Sequence, residues 1–296
     1  MKYSIISIGV FDGVHIGHQK LIKRIIEEKY KNNYLAVLLT FYRPFEKIDG
    51  LLTTPDEKFD ILSCFELDKI ELLAPDYNFY NFTPEEFFYN FLLKKYNVKK
   101  IVVGYDFKFG KNRTGDIKTL YALCKKTKIE LIKIHPVIYN KKIVSSSYLR
   151  NLIKNSKFDI ANEILTVPYF IYAKVIKGKG IARKFGLVPT ANLEVNKEKL
   201  LPAGIFCSKV IIDEKIFDGA LSIGYNSTFK NEKNMLIPEV HIIDFNKNIL
   251  NKKIKIIPYK KIRDEIKFKN PQDLKKQILK DIEYCKGEKY EIRKHT

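Results

Sequence analysis

Near Thr166-Val167-Pro168 the chain changes rhythm, and no single small architecture accommodates what lies on both sides. Before that point, strand-like and helical runs alternate. Residues 3–10 read as a strand entering a tight turn at Phe11-Asp12-Gly13, and Gln19 to Lys29 places Leu21, Ile22, Ile25 and Ile26 at helical spacing. Leu35 to Phe41 is a second apolar strand. Helical stretches around 55–65 and 84–97 each precede another, Lys69 to Leu73 and Lys100 to Gly104, and Glu130 to Ile134 adds one more. That order predicts a parallel sheet with helices on both faces. Beyond the change, Tyr169 to Ile176, Gly204 to Ile212, Phe217 to Ile223, Pro238 to Phe245 and Lys252 to Tyr259 are short strand-like runs. Gly, Asn, Asp and Lys clusters separate them, which predicts an antiparallel barrel or sandwich. Only Asn270 to Tyr284 is helical there, with Leu274, Ile278 and Ile282 on one face. A chain of 296 residues can fill two such cores, so we expect domains at 1–167 and 168–296.

Charge and cysteine usage narrow the function classes. A balance of 54 Lys+Arg against 34 Asp+Glu gives +20, compatible with nucleic-acid binding, with attraction of anionic small molecules, or with biased codon usage. Seven of the 54 are arginine and the 47 lysines are spread along the whole chain, whereas readers of base edges lean on arginine's planar fork. The dispersal favours a solvated surface with phosphate attraction as a secondary effect, and no nucleic-acid partner is expected. No run approaches the roughly eighteen consecutive apolar residues of a membrane span. Residues 1–8 run straight into Gly9 with no cleavage site, so a cytoplasmic chain opening on a strand is expected. Cys64, Cys124, Cys207 and Cys285 form no Cys-x-x-Cys pair; zinc and disulfides are not indicated, and each is expected to be a small buried residue.

The strongest local signal is Gly9-Val10-Phe11-Asp12-Gly13-Val14-His15-Ile16-Gly17-His18, a glycine-bearing turn between the first strand and the first helix. His-x-x-His spacing at a helix start sets both imidazoles on one side, beside free N–H groups and the positive end of the helix dipole. That is a phosphate site. Gly13 and Gly17 let the chain approach an anion, and the imidazoles can donate hydrogen bonds to charge developing on a phosphorus centre. Gly104 to Gly115, fed by an apolar strand, belongs at the sheet's carboxyl edge where α/β folds bind ligands. Ser145-Ser146-Ser147, followed by Arg150 one turn in, is a helix N-terminus suited to a triphosphate.

The Gly9–His18 segment resembles the His-x-Gly-His signature of the nucleotidylyltransferases, in the form found in bacterial bifunctional riboflavin kinase/FAD synthetases. Val103-Gly104-Tyr105-Asp106-Phe107-Lys108-Phe109-Gly110 resembles that family's Val-Gly-x-Asp/Asn-Phe-x-Phe-Gly loop, and Ser145 to Arg150 its Ser-Ser/Thr-x-x-Arg motif. The resemblance implies catalytic roles for His15 and His18. It assigns Gly9, Phe11, Asp12, Gly13, Gly17, Asp106, Arg113, Ser146, Ser147 and Arg150 to substrate and nucleotide binding. One departure is Thr40-Phe41-Tyr42-Arg43-Pro44-Phe45, where the family has Thr-Phe-x-Pro-His-Pro; Arg43 is the candidate to replace a lost phosphate contact.

In the second half, Gly178 to Asn192 offers a glycine-bearing flap and then Thr190 and Asn192, hard oxygen donors two residues apart that suit Mg²⁺ beside ATP. The segment resembles the riboflavin kinase signature ending in Pro-Thr-Ala-Asn, with one extra residue near Leu187. Glu239-Val240-His241-Ile242-Ile243-Asp244-Phe245 resembles the family's Glu-x-His-x-x-Asp-Phe strand, which makes Glu239 the implied general base. Ser222 to Phe229 and Arg263 to Phe268 resemble two further family elements. Gly178, Gly180, Arg183, Pro189, Arg263 and Glu265 are thereby implied in substrate and nucleotide binding.

Since the resemblance spans the chain, we expect a Rossmann-like nucleotidylyltransferase domain followed by a six-stranded Greek-key kinase barrel with a C-terminal helix. Riboflavin, FMN, FAD and ATP are the implied substrates and products, and Mg²⁺ the implied cofactor. Retention of only one of the two activities, or a basic nucleic-acid-binding role on the same fold, are the alternatives.

Overall fold

Strand β1 (Ser4–Gly9) is buried from Ser4 to Ile8, as a strand must be when both sheet faces are covered. A computed structural model describes residues 2–74, 77–178, 188–225, 236–268 and 270–292. The chain forms two compact units, Met1–Tyr148 and Leu149–Thr296.

In the first unit β1 is central. It pairs in parallel with β2 (Leu35–Phe41) and β4 (Val98–Gly104), and β3 (Lys69–Leu73) and β5 (Glu130–Ile134) complete a five-stranded parallel sheet in the order β3-β2-β1-β4-β5. Each expected strand is present. One face packs Ile6, Ile8, Val37, Leu39, Ile101 and Val103 against later helical segments. On the other side lies α1 (Ile16–Asn32), which buries Leu21, Ile22 and Ile25. Helix α2 (Pro55–Ser63) starts at a reciprocal cap between Thr54 and Glu57, with proline in its first turn. The helix expected around 84–97 is composite. After α3 (Tyr77–Asn81), α4 (Pro84–Glu86) leads into a π-helical run, Phe87–Leu93, and then α5 (Lys94–Tyr96). Helix α6 (Ile117–Thr127), capped by the Asp116 carboxylate, was not predicted; its buried stripe is only Leu120, Leu123 and Cys124.

The sheet order reverses between β1 and β4, so the crevice at their carboxyl ends is the topological switch point. The turn after β1 and the loop after β4 both open there. A two-stranded ribbon, β6 (Ile138–Tyr139) and β7 (Lys142–Ile143), precedes α7 (Ser146–Lys154), within which the division between the units falls.

The second unit contains α8 (Phe158–Ile164) and six strands: β8 (Ile171–Ile176), β9 (Ala191–Val195), β10 (Gly204–Ile212), β11 (Lys215–Tyr225), β12 (Leu236–Ile242) and β13 (Lys253–Arg263). They close antiparallel in the order β10-β11-β12-β9-β8-β13, a barrel rather than a sandwich, which leaves no free sheet edge. Five of the strands were expected from pattern. The sixth, β9, is short and follows Pro189, so its alternation is hard to see. Two-turn α8 was not predicted either.

Helix α9 (Pro271–Gly287), capped by Asn270, packs on β10 and β11. The Arg263 guanidinium at the end of β13 meets Asp281 of α9 through Nε at 3.1 Å to both carboxylate oxygens and Nη2 at 2.6 Å. Gln277 adds a hydrogen bond to the same carboxylate at 2.9 Å. Cys124, Cys207 and Cys285 are buried as expected. Cys64 is not; it sits exposed at the end of α2, where its thiol meets the Asp60 carbonyl at 3.4 Å. Asp281→Asn leaves a largely buried guanidinium without its counter-charge. We expect a loss of about 3 kcal/mol in the second unit's stability, read as a lower denaturant midpoint at unchanged slope.

Candidate active sites

The β1–α1 turn is held by buried polar groups on three sides. Asp12 is buried, and its carboxylate accepts the backbone N–H of Leu52 at 3.2 Å and of Thr53 at 2.9 Å. Gly13 N–H donates to Thr53 Oγ1 at 3.0 Å, and Ser146 Oγ, at the start of α7, donates to the Asp12 carbonyl at 2.8 Å. From α2, buried Lys58 donates through Nζ to the Val10 carbonyl at 2.8 Å, to Thr40 Oγ1 at 3.5 Å and to the Phe41 carbonyl. Burial brings its ammonium down to about 8, partly offset by the Asp12 charge. The turn needs this support, because Phe11 and Val14 adopt φ of 51° and 37°, costly for residues with a Cβ and most of all for a β-branched one.

This scaffold presents two imidazoles. His15 is the N-cap of α1, and the two histidines cap one another. His18 N–H donates to His15 Nδ1 and His15 N–H donates to His18 Nδ1, each at 3.4 Å. The rings stack with centroids 3.6 Å apart and 16° between planes, and Phe11 leans on His18 at 5.0 Å. Gly17 is required by this packing, since a Cβ there would lie 3.0 Å from the His15 ring. Burial takes His15 from 6.5 to about 4. His18 is held well below its usual value by burial first, then by the charges of His15 and Lys58. Both rings are therefore neutral at pH 7. With each Nδ1 accepting a backbone N–H, each proton resides on Nε2, which is left as a hydrogen-bond donor at a helix N-terminus.

Beside β1 and β2 lies a cavity of about 690 Å³ whose lining is rich in aromatic side chains, among them Phe41, Phe45, Phe79, Phe87 and Phe109. Phe45 belongs to the loop that departs from the family pattern, and it sets its ring edge-on to Phe41 at 4.6 Å and to Tyr80 at 5.6 Å. Phe109 and Gly115 bridge, closing the loop after β4. At the rim the Arg113 guanidinium pairs with Glu46. Asp106 is exposed just after Gly104, and Ser147 is exposed in the first turn of α7. Arg150 falls one turn further along α7, beyond the division of the units.

In the barrel, β12 turns Pro238, Val240 and Ile242 inward and leaves Ile237, Glu239 and His241 on the opposite face. The ladder with β9 sets Glu239 opposite Asn192. Thr190 Oγ1 donates to Glu239 Oε2 at 3.0 Å, so three of the expected site residues meet at one place. A Cβ on Gly178 would overlap the Asn192 amide, so that glycine makes room for the Asn192 side chain. Gly180 and Arg183 lie outside the described residues, as do the extra residue near Leu187 and the segment from Asn226. Glu265 accepts the backbone N–H of Tyr225 at 3.2 Å, and Arg263 is engaged by Asp281.

The sequence profile described as FAD synthetase matches residues 1–148, and that described as riboflavin kinase matches 165–288. The chain belongs to the bifunctional riboflavin kinase/FMN adenylyltransferase family. The member from Buchnera aphidicola subsp. Schizaphis graminum is 36% identical, covering 96% of this chain and 93% of its own length. The Bacillus subtilis member is 32% identical, covering 94% and 90%. A solved structure from Streptococcus pneumoniae, described as a macrolide-efflux protein, superposes with a TM-score of 0.83 at 27% identity, covering 97% of this chain and 95% of that one. Among the described residues here, no helix is long and apolar enough to cross a membrane.

Lys58 and the aromatic cavity were not found from sequence. Nothing distinguishes Lys58 among 47 lysines, because its three acceptors come from the ends of two other strands. For His15 the folded value lies below the unfolded one, so the unfolded chain binds the proton first and acid favours unfolding. The stability present above pH 6.5 falls as the pH drops toward 4. In His15→Asn/His18→Asn this part of the denaturant-midpoint profile should flatten relative to the parent protein.

Proposed function

We propose that the parallel-sheet unit adenylylates FMN and the barrel unit makes that FMN from riboflavin, both with ATP, and that the functional division falls between residues 167 and 168. The observation that carries this reading is the gathering of separate polar clusters in separate units, one around two neutral imidazoles and one around a carboxylate. The full-length likeness to bifunctional members favours neither a single retained activity nor a nucleic-acid role.

In adenylylation an oxygen of the FMN phosphate attacks the α-phosphorus of ATP and pyrophosphate leaves. A phosphate is already ionised at pH 7, so no general base is needed. What the step asks for is donors aimed at charge developing on the phosphoryl oxygens. Neutral His15 and His18, each donating from Nε2, supply that without changing protonation, and Ser146 and Ser147 at the N-terminus of α7 hold phosphates. The aromatic cavity is of a size to take the flavin ring.

Phosphorylation of riboflavin is different, since its hydroxyl holds its proton at pH 7. Glu239 accepts that proton as the hydroxyl oxygen attacks the γ-phosphorus and the bond to the β,γ-bridging oxygen breaks, releasing ADP. Thr190 donates to Glu239 and keeps its oxygen lone pairs, and Asn192 contributes an amide oxygen. This small, all-oxygen set fits Mg²⁺, which keeps most of its shell for water and phosphate oxygens. Thr190 and Asn192 would hold the ion, which when bound neutralises charge on the triphosphate.

His15→Ala/His18→Ala should abolish FAD formation while FMN still accumulates from riboflavin, and Glu239→Ala should do the reverse with supplied FMN. Chromatography of both products over time decides, and loss of both activities in either variant would sink the division. Gly178→Ala should push Asn192 aside and raise the KM for ATP in FMN formation by about tenfold, with FAD formation unchanged.

A further inference from the structure

The β9–β12 ladder is short: its register pairs are Glu239 with Asn192 and Val240 with Ala191. Carried one step further, the same antiparallel register sets Thr190 opposite His241. Strand β9 nevertheless starts at Ala191, and Pro189 has no N–H with which to extend a ladder. Side chains of β12 take over at this point. Glu239 receives the Thr190 hydroxyl at 3.0 Å, and His241 Nδ1 lies 2.8 Å from the Pro189 carbonyl. A carbonyl can only accept, so the proton of this bond belongs to His241 Nδ1.

We propose that His241 is a positioning residue of the riboflavin kinase site: its Nδ1–H fixes the Pro189 carbonyl and so delivers Thr190 to Glu239. The inference rests on the kinase reading above. His241 and Glu239 are two residues apart on one face of β12, so a single rigid strand sets both ends of the Pro189-Thr190 step. Thr190 thereby has its backbone fixed on one side and its hydroxyl on the other. Without the imidazole, the step is tied by the Thr190 hydroxyl alone, and ATP meets an oxygen donor that has to be ordered on binding.

The test uses the full chain with His241→Asn, His241→Gln and His241→Ala. An asparagine amide reproduces a donor at the Nδ1 position, whereas glutamine reaches to the Nε2 position. In riboflavin phosphorylation at saturating Mg²⁺, we expect the KM for ATP to rise by about tenfold in the Ala and Gln variants, with kcat within about threefold. The Asn variant should stay near the parent protein. The kcat of riboflavin phosphorylation, itself a barrel activity, reports whether the barrel of each variant is folded, because adenylylation belongs to the other unit. Equal KM values in the Asn and Gln variants, or parent values in all three, overturn the proposal. Parent protein that forms no FMN overturns the kinase reading instead.

A second measurement needs no folded variant. In parent protein labelled with ¹⁵N-histidine, the imidazole resonances at pH 7.5 should show His241 with its proton on Nδ1. A proton on Nε2 overturns the proposal.

Discussion

A buried cation and a buried anion hold the turn that carries the histidines. The Lys58 ammonium satisfies carbonyls at the ends of β1 and β2, and the Asp12 carboxylate satisfies N–H groups of the 51–54 loop. Lys58 lies where the parallel sheet runs out of ladder partners and its last carbonyls need others, and Asp12 supplies acceptors to loop amides that no strand pairs. With those groups satisfied, the backbone can keep Phe11 and Val14 at positive φ, which a freely solvated turn would relax. The same packing desolvates His15 and His18. Their neutrality is thus a product of the scaffold, and it suits a transfer in which donors matter and proton exchange does not.

The barrel solves a related problem by other means. A closed sheet has no edge, but the β9–β12 ladder is short, and Pro189 has no N–H with which to extend it. Polar side chains of β12 do there what backbone amides do elsewhere. In both units the polar groups of the candidate site draw their partners from a different element: Ser146 of α7 and Lys58 of α2 at the histidine turn, Thr190 at Glu239 of β12.

Around the departing 42–46 loop the two kinds of information meet. The sequence has Arg43, Pro44 and Phe45 where the family pattern it resembles reads Pro-His-Pro. The structure shows the ring of Phe45 packed edge-on between Phe41 and Tyr80 at the aromatic cavity. Part of that loop thus contributes apolar surface. Arg263 teaches the converse. The resemblance implied it in binding, and its guanidinium meets Asp281, a residue whose place on α9 gave no sign of the pairing.

Local periodicity was enough to write down the five parallel strands, five of the six barrel strands and the last helix, because strand and helix patterns depend on residues two to four positions apart. The histidine turn and the Thr190–Asn192 pair could be picked out for a similar reason, residue type at close spacing, whereas Glu239 was implied by the resemblance. Closure of the barrel was implied by the resemblance, periodicity alone leaving a sandwich open, while the Lys58 clamp, the cavity walls, the Arg263–Asp281 pair and the His241 bond were not legible. Each joins residues distant in sequence: 17 positions separate Lys58 and Phe41, and 52 separate Pro189 and His241. Burial, which sets the protonation of both histidines, exists only once those distant segments have packed.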